Sequence, residues 1–278
     1  MNFDLQQSAI RLRALCSSLL AGYSEEDLHQ LRVTLRRVRS ALREPPAGNK
    51  GDLRRELGTL ARATNSARDW DTLVASALNR LEPQELRPLL PLLEERREAA
   101  RAQVYRMFQS PRWLAALKAL DCEPTLTHSE TDSQAVAAGQ LQTKLQNTAA
   151  AGRKAMARDD HKSWHKLRIA IKELRYTLDT LPQGPGESAT ARLLDECKSL
   201  QSLLGNWHDT VVHRHLLNEL ADLASFDATS PAGDATSALQ HALAANGQRT
   251  LEHIKQELRR GDLALATQAA VNMSISQT

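Results

Sequence analysis

The chain has 278 residues, of which 41% are hydrophobic, 25% charged and 4% aromatic, with a formal net charge of +3 at pH 7. It is long enough for one large domain or two of ordinary size, and apolar enough to fill a core. Three scattered cysteines (Cys16, Cys122, Cys197) exclude a disulfide framework and suit a reducing compartment, and no apolar run reaches the roughly 18–20 residues that cross a bilayer.

Helical periodicity runs nearly throughout, and the fold class is predicted to be all-α. Helices are predicted near residues 3–20, 25–44, 51–66, 69–81, 83–108 and 111–120, then near 134–158, 161–181, 188–204, 207–224 and 236–260. Pro, Gly, Ser and Asp mark the breaks: EPPAGNKGD at 44–52, Ala67–Asp69, Glu82-Pro83, Ser110-Pro111, 121–133, 181–188, Gly205-Asn206 and 226–237. No segment alternates as a strand would. Arg11 and Arg13 interrupt the apolar run that a signal peptide needs, so the expected location is cytoplasmic.

The second predicted helix holds LHQLRVTLRRVRSALR (28–43), with five arginines, one histidine and no acid. At about 100° per residue, His29, Arg32, Arg36, Arg39 and Arg43 share one face. Leu28, Leu31, Leu35, Val38 and Leu42 form the stripe beside it, at the spacing of a bundle seam. Arg37 points elsewhere and reads as a solvated charge.

The same pattern returns at an offset of 136 residues, in WHKLRIAIKELRYTLD (164–179). There His165, Arg168, Lys172 and Arg175 match His29, Arg32, Arg36 and Arg39. Trp164, Leu167, Ile171, Leu174 and Leu178 match the apolar stripe. One helix later, ARDWD (67–71) resembles GNWHD (205–209), which sets Asp71 near Asp209. The chain therefore reads as a duplicated helical bundle, two tandem halves with a pseudo-twofold relation as the natural packing.

Like charges three or four residues apart repel by a few tenths of a kcal/mol per pair. One such helix is readily a solvated basic face. Two copies of one cation spacing beside a core seam point instead to a polyanion, since guanidinium forks grip phosphate oxygens bidentately and Lys172 acts as a point charge. Such binding weakens steeply with salt.

These motifs resemble those of the CHAD domain, the conserved-histidine α-helical domain, whose members carry H-x-x-R-x-x-x-[RK]-x-x-R twice, as His29–Arg39 and His165–Arg175 do. Family members also carry a turn ending in Asp, as at 67–71 and 204–209. The resemblance covers roughly residues 3–265. It implies a single domain of two bundles, 3–120 and 134–265, with 121–133 as linker and 266–278 as a tail. The basic helices would line a shared groove. It further implies a non-catalytic protein that binds inorganic polyphosphate without a cofactor and associates with polyphosphate granules and their proteins. Where the family commonly has K-R-L-R-Y, this chain has Lys172-Glu173-Leu174-Arg175-Tyr176, so Glu173 is expected to weaken the second grip.

Arg54, Arg192 and Lys198 are secondary candidates that extend the basic surface, with a plain solvated role as the alternative. His161 and His165 stand at metal-ligand spacing, but the neighbouring cations argue against a metal. His208-Asp209 raises a metal-dependent phosphohydrolase as one alternative, and Asp71 and Asp209 read more simply as helix N-terminal residues bonding free N–H groups. Nucleic-acid binding by the same cations is the other alternative, although such sites add aromatic platforms and only Tyr176 offers one. Arg96, Arg97 and Arg101, set among Glu94, Glu95 and Glu98, read as a salt-bridged outer face. Trp113, Trp164 and Trp207 read as core. His213 and His215 point apart on a helix and are assigned no role.

Overall fold

A computed structural model describes residues 4–42, 50–122, 133–179, 187–223 and 226–260. Among these residues there is helix and no strand, and no helix is long and apolar enough to cross a membrane. In chain order the helices are α1 (Leu5–Ala21), α2 (Glu25–Ala41), α3 (Lys50–Ala63), α4 (Asn65–Leu78), the single-turn α5 (Pro83–Leu86), α6 (Leu90–Phe108) and α7 (Pro111–Cys122). They continue with α8 (Ser133–Arg158), α9 (His161–Asp179), α10 (Glu187–Ala221) and α11 (Pro231–Arg259). Two compact units result. One holds residues 1–128 and 216–239, the other 129–215 and 240–278.

In the first unit, α2 packs against α1, α3 and α4. Ser24 caps α2 by accepting from the Asp27 N–H at 3.3 Å. Glu25, Glu26 and Asp27 fill its first turn and Arg39 its last, the polarity the helix dipole favours. The expected seam is the observed one: Leu28, Leu31, Leu35, Val38 and Leu42 are all buried. Each buried leucine contributes about 1.5–3 kcal/mol, against a few tenths for each cation–cation repulsion, so packing fixes the helix and the arginine row rides on it.

In the second unit α9 packs on α8. Asp159 takes φ of 49°, a left-handed turn between the two helices. Its carboxylate accepts from Trp164 Nε1 at 2.9 Å and Lys255 Nζ at 2.8 Å. Asp160 then accepts from the Ser163 N–H at 2.7 Å and starts α9. Trp164, Leu167, Ile171, Leu174 and Leu178 are buried as expected, and so are Trp113 and Trp207.

Four boundaries differ from expectation, the simplest being the start of α11 at Pro231, inside the break predicted at 226–237. The predicted helix at 83–108 is interrupted after α5, because Pro88 and Pro91 lack N–H donors and clash with the preceding turn. The predicted break at Ala67–Asp69 lies earlier, at Thr64, so the ARDWD stretch is inside α4. The predicted break at Gly205-Asn206 does not exist, and α10 runs unbroken over Glu187–Ala221. A helical glycine costs only about 1 kcal/mol, and the burial of Leu204 and Trp207 on either side holds the helix together.

Candidate functional site

The cation row on α2 is present and its members differ in setting. His29 is exposed, while Arg32, Arg36 and Arg39 are half-buried. Arg32 Nη1 donates to Thr64 Oγ1 at 2.7 Å and Asn65 Oδ1 at 2.9 Å, which ties the row to the α3–α4 junction. Burial, then Arg36 and Arg68, lowers the pKa of Arg32, with Asp69 acting against them. It stays charged regardless, since a guanidinium does not deprotonate in proteins.

Arg39 lies against α3. A Cβ placed at Gly58 would fall 3.1–3.2 Å from Nη2, Cζ and Nε of Arg39, closer than ordinary contact. The guanidinium rests against Gly58, where an added methyl would press on it. Its Nε is buried without a hydrogen-bond partner. Burial, then Arg54 and Arg62, lowers its pKa, so the charges bearing on it are cations. Arg54 Nε donates to the Arg39 carbonyl at 3.3 Å, which brings this secondary candidate to the row. Arg43 lies outside the described residues.

On α9 the row is arranged differently. His165, Arg168, Lys172 and Arg175 are half-buried. Arg168 Nε is buried without a hydrogen-bond partner, as Arg39 Nε is on α2. Arg175 Nε donates to Gln201 Oε1 at 2.8 Å and Nη1 to Asp179 Oδ2 at 2.6 Å. Its guanidinium sits 4.5 Å over the exposed Tyr176 ring, and Lys172 Nζ lies 5.7 Å from the same ring. Glu173 forms a salt bridge with Lys144 of α8. Arg192 is exposed on α10, and Lys198 pairs with Asp195 at 3.0 Å.

Histidine gathers on this half. The ring of His208, from α10, lies 5.8 Å from His161 and 5.3 Å from His165. Burial, then Arg168 and the other two imidazoles, pushes the His208 pKa down to about 4. Burial, then Arg168 and His161, also lowers that of His165. Among the described residues no group of three or more His, Cys, Asp or Glu is placed to hold a metal ion.

Two sequence readings need correction. Asp71 is no helix N-terminal residue: it sits inside α4, wholly buried, and accepts from Arg101 Nη2 at 2.8 Å and Tyr23 Oη at 2.5 Å. Arg101 is accordingly no outer-face charge, and it lies 4.0 Å over the Tyr23 ring while also pairing with Glu98. Burial, then the Asp71 acceptor, keeps the Tyr23 hydroxyl protonated. Asp209, its sequence counterpart, is exposed in the interior of α10. Sequence reasoning missed this three-residue network and the imidazole cluster, since each joins residues far apart in the chain.

A family model described as the CHAD domain matches residues 5–218. The structure is similar to the crystal structure of the CHAD domain from the plant Ricinus communis, with a TM-score of 0.70 and 26% identity over 94% of this chain and 89% of that one. It shares its fold with PptA from Streptomyces chartreusis, with a TM-score of 0.63 and 15% identity over 92% of this chain and 96% of that one. No functionally curated protein matches. The all-helical fold and a match over most of the length agree: the chain belongs to the CHAD domain family, a family associated with polyphosphate binding.

Proposed function

We propose that this protein binds inorganic polyphosphate, has no chemistry of its own, and associates with polyphosphate granules. One observation carries the reading. Each of the two motif helices presents a half-buried arginine whose Nε is buried without an acceptor, Arg39 on α2 and Arg168 on α9. A buried donor left unmatched costs about 1–3 kcal/mol, and a phosphate chain offers acceptor oxygens at close spacing along its length. His29, Arg32, Arg36 and Arg54 extend the α2 contact, and His165, Lys172 and Arg175 the α9 contact. Asp195 engages Lys198, which makes it the weakest member of the set.

The test is a double charge reversal, Arg36→Glu with Lys172→Glu. Retention on immobilised long-chain polyphosphate should be abolished while the helical circular dichroism stays that of the wild type. Retention at the wild-type level would overturn the assignment of these rows. Wild-type affinity should fall steeply as salt rises.

Nucleic-acid binding is the second reading, favoured by the Tyr176 ring, 42% exposed with Arg175 above it. Competition separates the two. On the leading reading polyphosphate displaces single-stranded DNA or RNA at far lower phosphate concentration than the reverse.

A further inference from the structure

His161 and His208 have no part in the function just proposed, yet they stand with two residues that do. His161 and His165 lie one turn apart on α9 with ring centroids 6.2 Å apart, and His208 of α10 completes a triangle with sides of 5.8 and 5.3 Å. The Trp207 ring lies 5.4 Å from that of His161. Nδ1 of His165, Nδ1 of His208 and Nε of Arg168 are all buried without hydrogen-bond partners. Three such nitrogens together, at about 1–3 kcal/mol each, mark a place built for something other than packing.

The charged groups at this end of the unit define what fits. Those bearing on His208 are Arg168, His165 and His161. Those bearing on His165 are Arg168 and His161. Of the nearby acids, Asp159 is held by Lys255 of α11, which Glu252 also holds. Asp160 is occupied by Ser163, with Arg158 of α8 and Lys162 acting on it. Asp209, next to His208, is exposed. A protonated imidazole donates from both nitrogens, so the complement of this cluster is an anion with several acceptor oxygens.

We propose that His161, His165, His208 and Arg168 form a phosphate subsite that takes up protons as it binds; this rests on the polyphosphate reading. Without ligand, burial and Arg168 keep His165 and His208 neutral near pH 7. A phosphate among them supplies the opposite charge and raises their pKa. The bound state then holds more protons than the free state, so affinity rises as pH falls from about 7.5 toward 5.5. The change is about tenfold per pH unit for each proton fully coupled. The first half has Glu25 where this half has His161 in the repeat register, and apart from His29 the α2 contact is made of guanidinium groups that carry their charge at every pH.

Calorimetry with tripolyphosphate, in buffers of different ionisation enthalpy, reads the uptake directly. The wild type should take up protons near pH 6. In His208→Asn the ratio of affinities at pH 5.5 and pH 8 should fall about tenfold, the share of one coupled proton. A second measurement needs no variant: the His208 imidazole, followed by nitrogen-edited NMR, should titrate above about pH 6 when tripolyphosphate is added, against about 4 without it. Binding without proton uptake, or an unmoved His208 titration in the bound protein, overturns the subsite and leaves the polyphosphate reading standing. No binding at any pH overturns both.

Discussion

Helices α2 and α9 carry one spacing of cations, and their surroundings make two different devices of it. On α2 the charges bearing on Arg39 are Arg54 and Arg62, and its Nε has no acceptor. On α9 the counterpart Arg175 is already bonded to Gln201 and Asp179. The Glu173 that the sequence marks as weakening the second row is bonded to Lys144. At the histidine end, α2 shows an exposed His29, whereas α9 shows His165 inside a cluster of imidazoles. A motif of residue types thus sets where cations stand. Whether they stand ready, engaged or conditional on pH is set by the helices packed around them.

The sharpest way to break the comparison concerns its two aspartates. Asp71 is wholly buried with Arg101 and Tyr23, and Asp209 is exposed. Removing one partner of a buried pair leaves an uncompensated charge. Arg101→Ala should therefore destabilise the protein by about 3 kcal/mol in urea titration, while Asp209→Ala should stay within about 0.5 kcal/mol of wild type. Equal effects would return Asp71 to the role of a surface cap.

The next effect is on binding. Arg39→Ala removes charge-assisted contacts from a group whose Nε has no hydrogen-bond partner, and should weaken polyphosphate affinity about tenfold. Arg175→Ala removes one already shared with Asp179, and should cost about threefold on the same scale. A larger loss at Arg175 would reverse the ranking of the two rows.

Gly58→Ala makes the comparison finer. The added methyl meets the Arg39 guanidinium at 3.1–3.2 Å and must push it back by a few tenths of an ångström. Helix propensity alone favours alanine by about 1 kcal/mol. The variant should hold or gain thermal stability while losing about threefold in affinity, and the loss should vanish in an Arg39→Ala background. Glu173→Gln, measured the same way, should gain no more than about twofold, since Lys144 already offsets that charge.

Acid adds a last, smaller test. His208 titrates at about 4 in the fold, against 6.5 ordinarily, because of burial and then Arg168, His165 and His161. A base that resists protonation when folded gives its full stability above its ordinary pKa and loses it as pH falls from about 6.5 toward 4. Hydrogen-exchange protection around residues 161–168 should fall over that window, and tripolyphosphate should restore part of it.

The all-helical fold and both apolar seams were legible in the sequence because they rest on local period. Leu28 through Leu42 and Trp164 through Leu178 are buried at every expected position. The α10 helix was misread because Gly205 carries a stop signal that burial of its neighbours overrides. The candidate cations were legible for the same periodic reason as the seams. Their partners were not. Thr64 and Asn65 reach Arg32 from 32 and 33 residues away, Asp71 reaches Arg101 across 30, and His208 comes to His165 from another helix. Such encounters follow from packing and leave no spacing to count.

Gly58 carries one more consequence, for how relatives of this chain should vary. The seat of Arg39 is the space that a missing methyl group leaves open, so positions 39 and 58 are not independent letters. Lineages that keep arginine at 39 should keep glycine at 58, and a larger residue at 58 should appear only where the arginine has already been replaced. The pair is a compact signature for asking, of any relative, whether it has retained this arm.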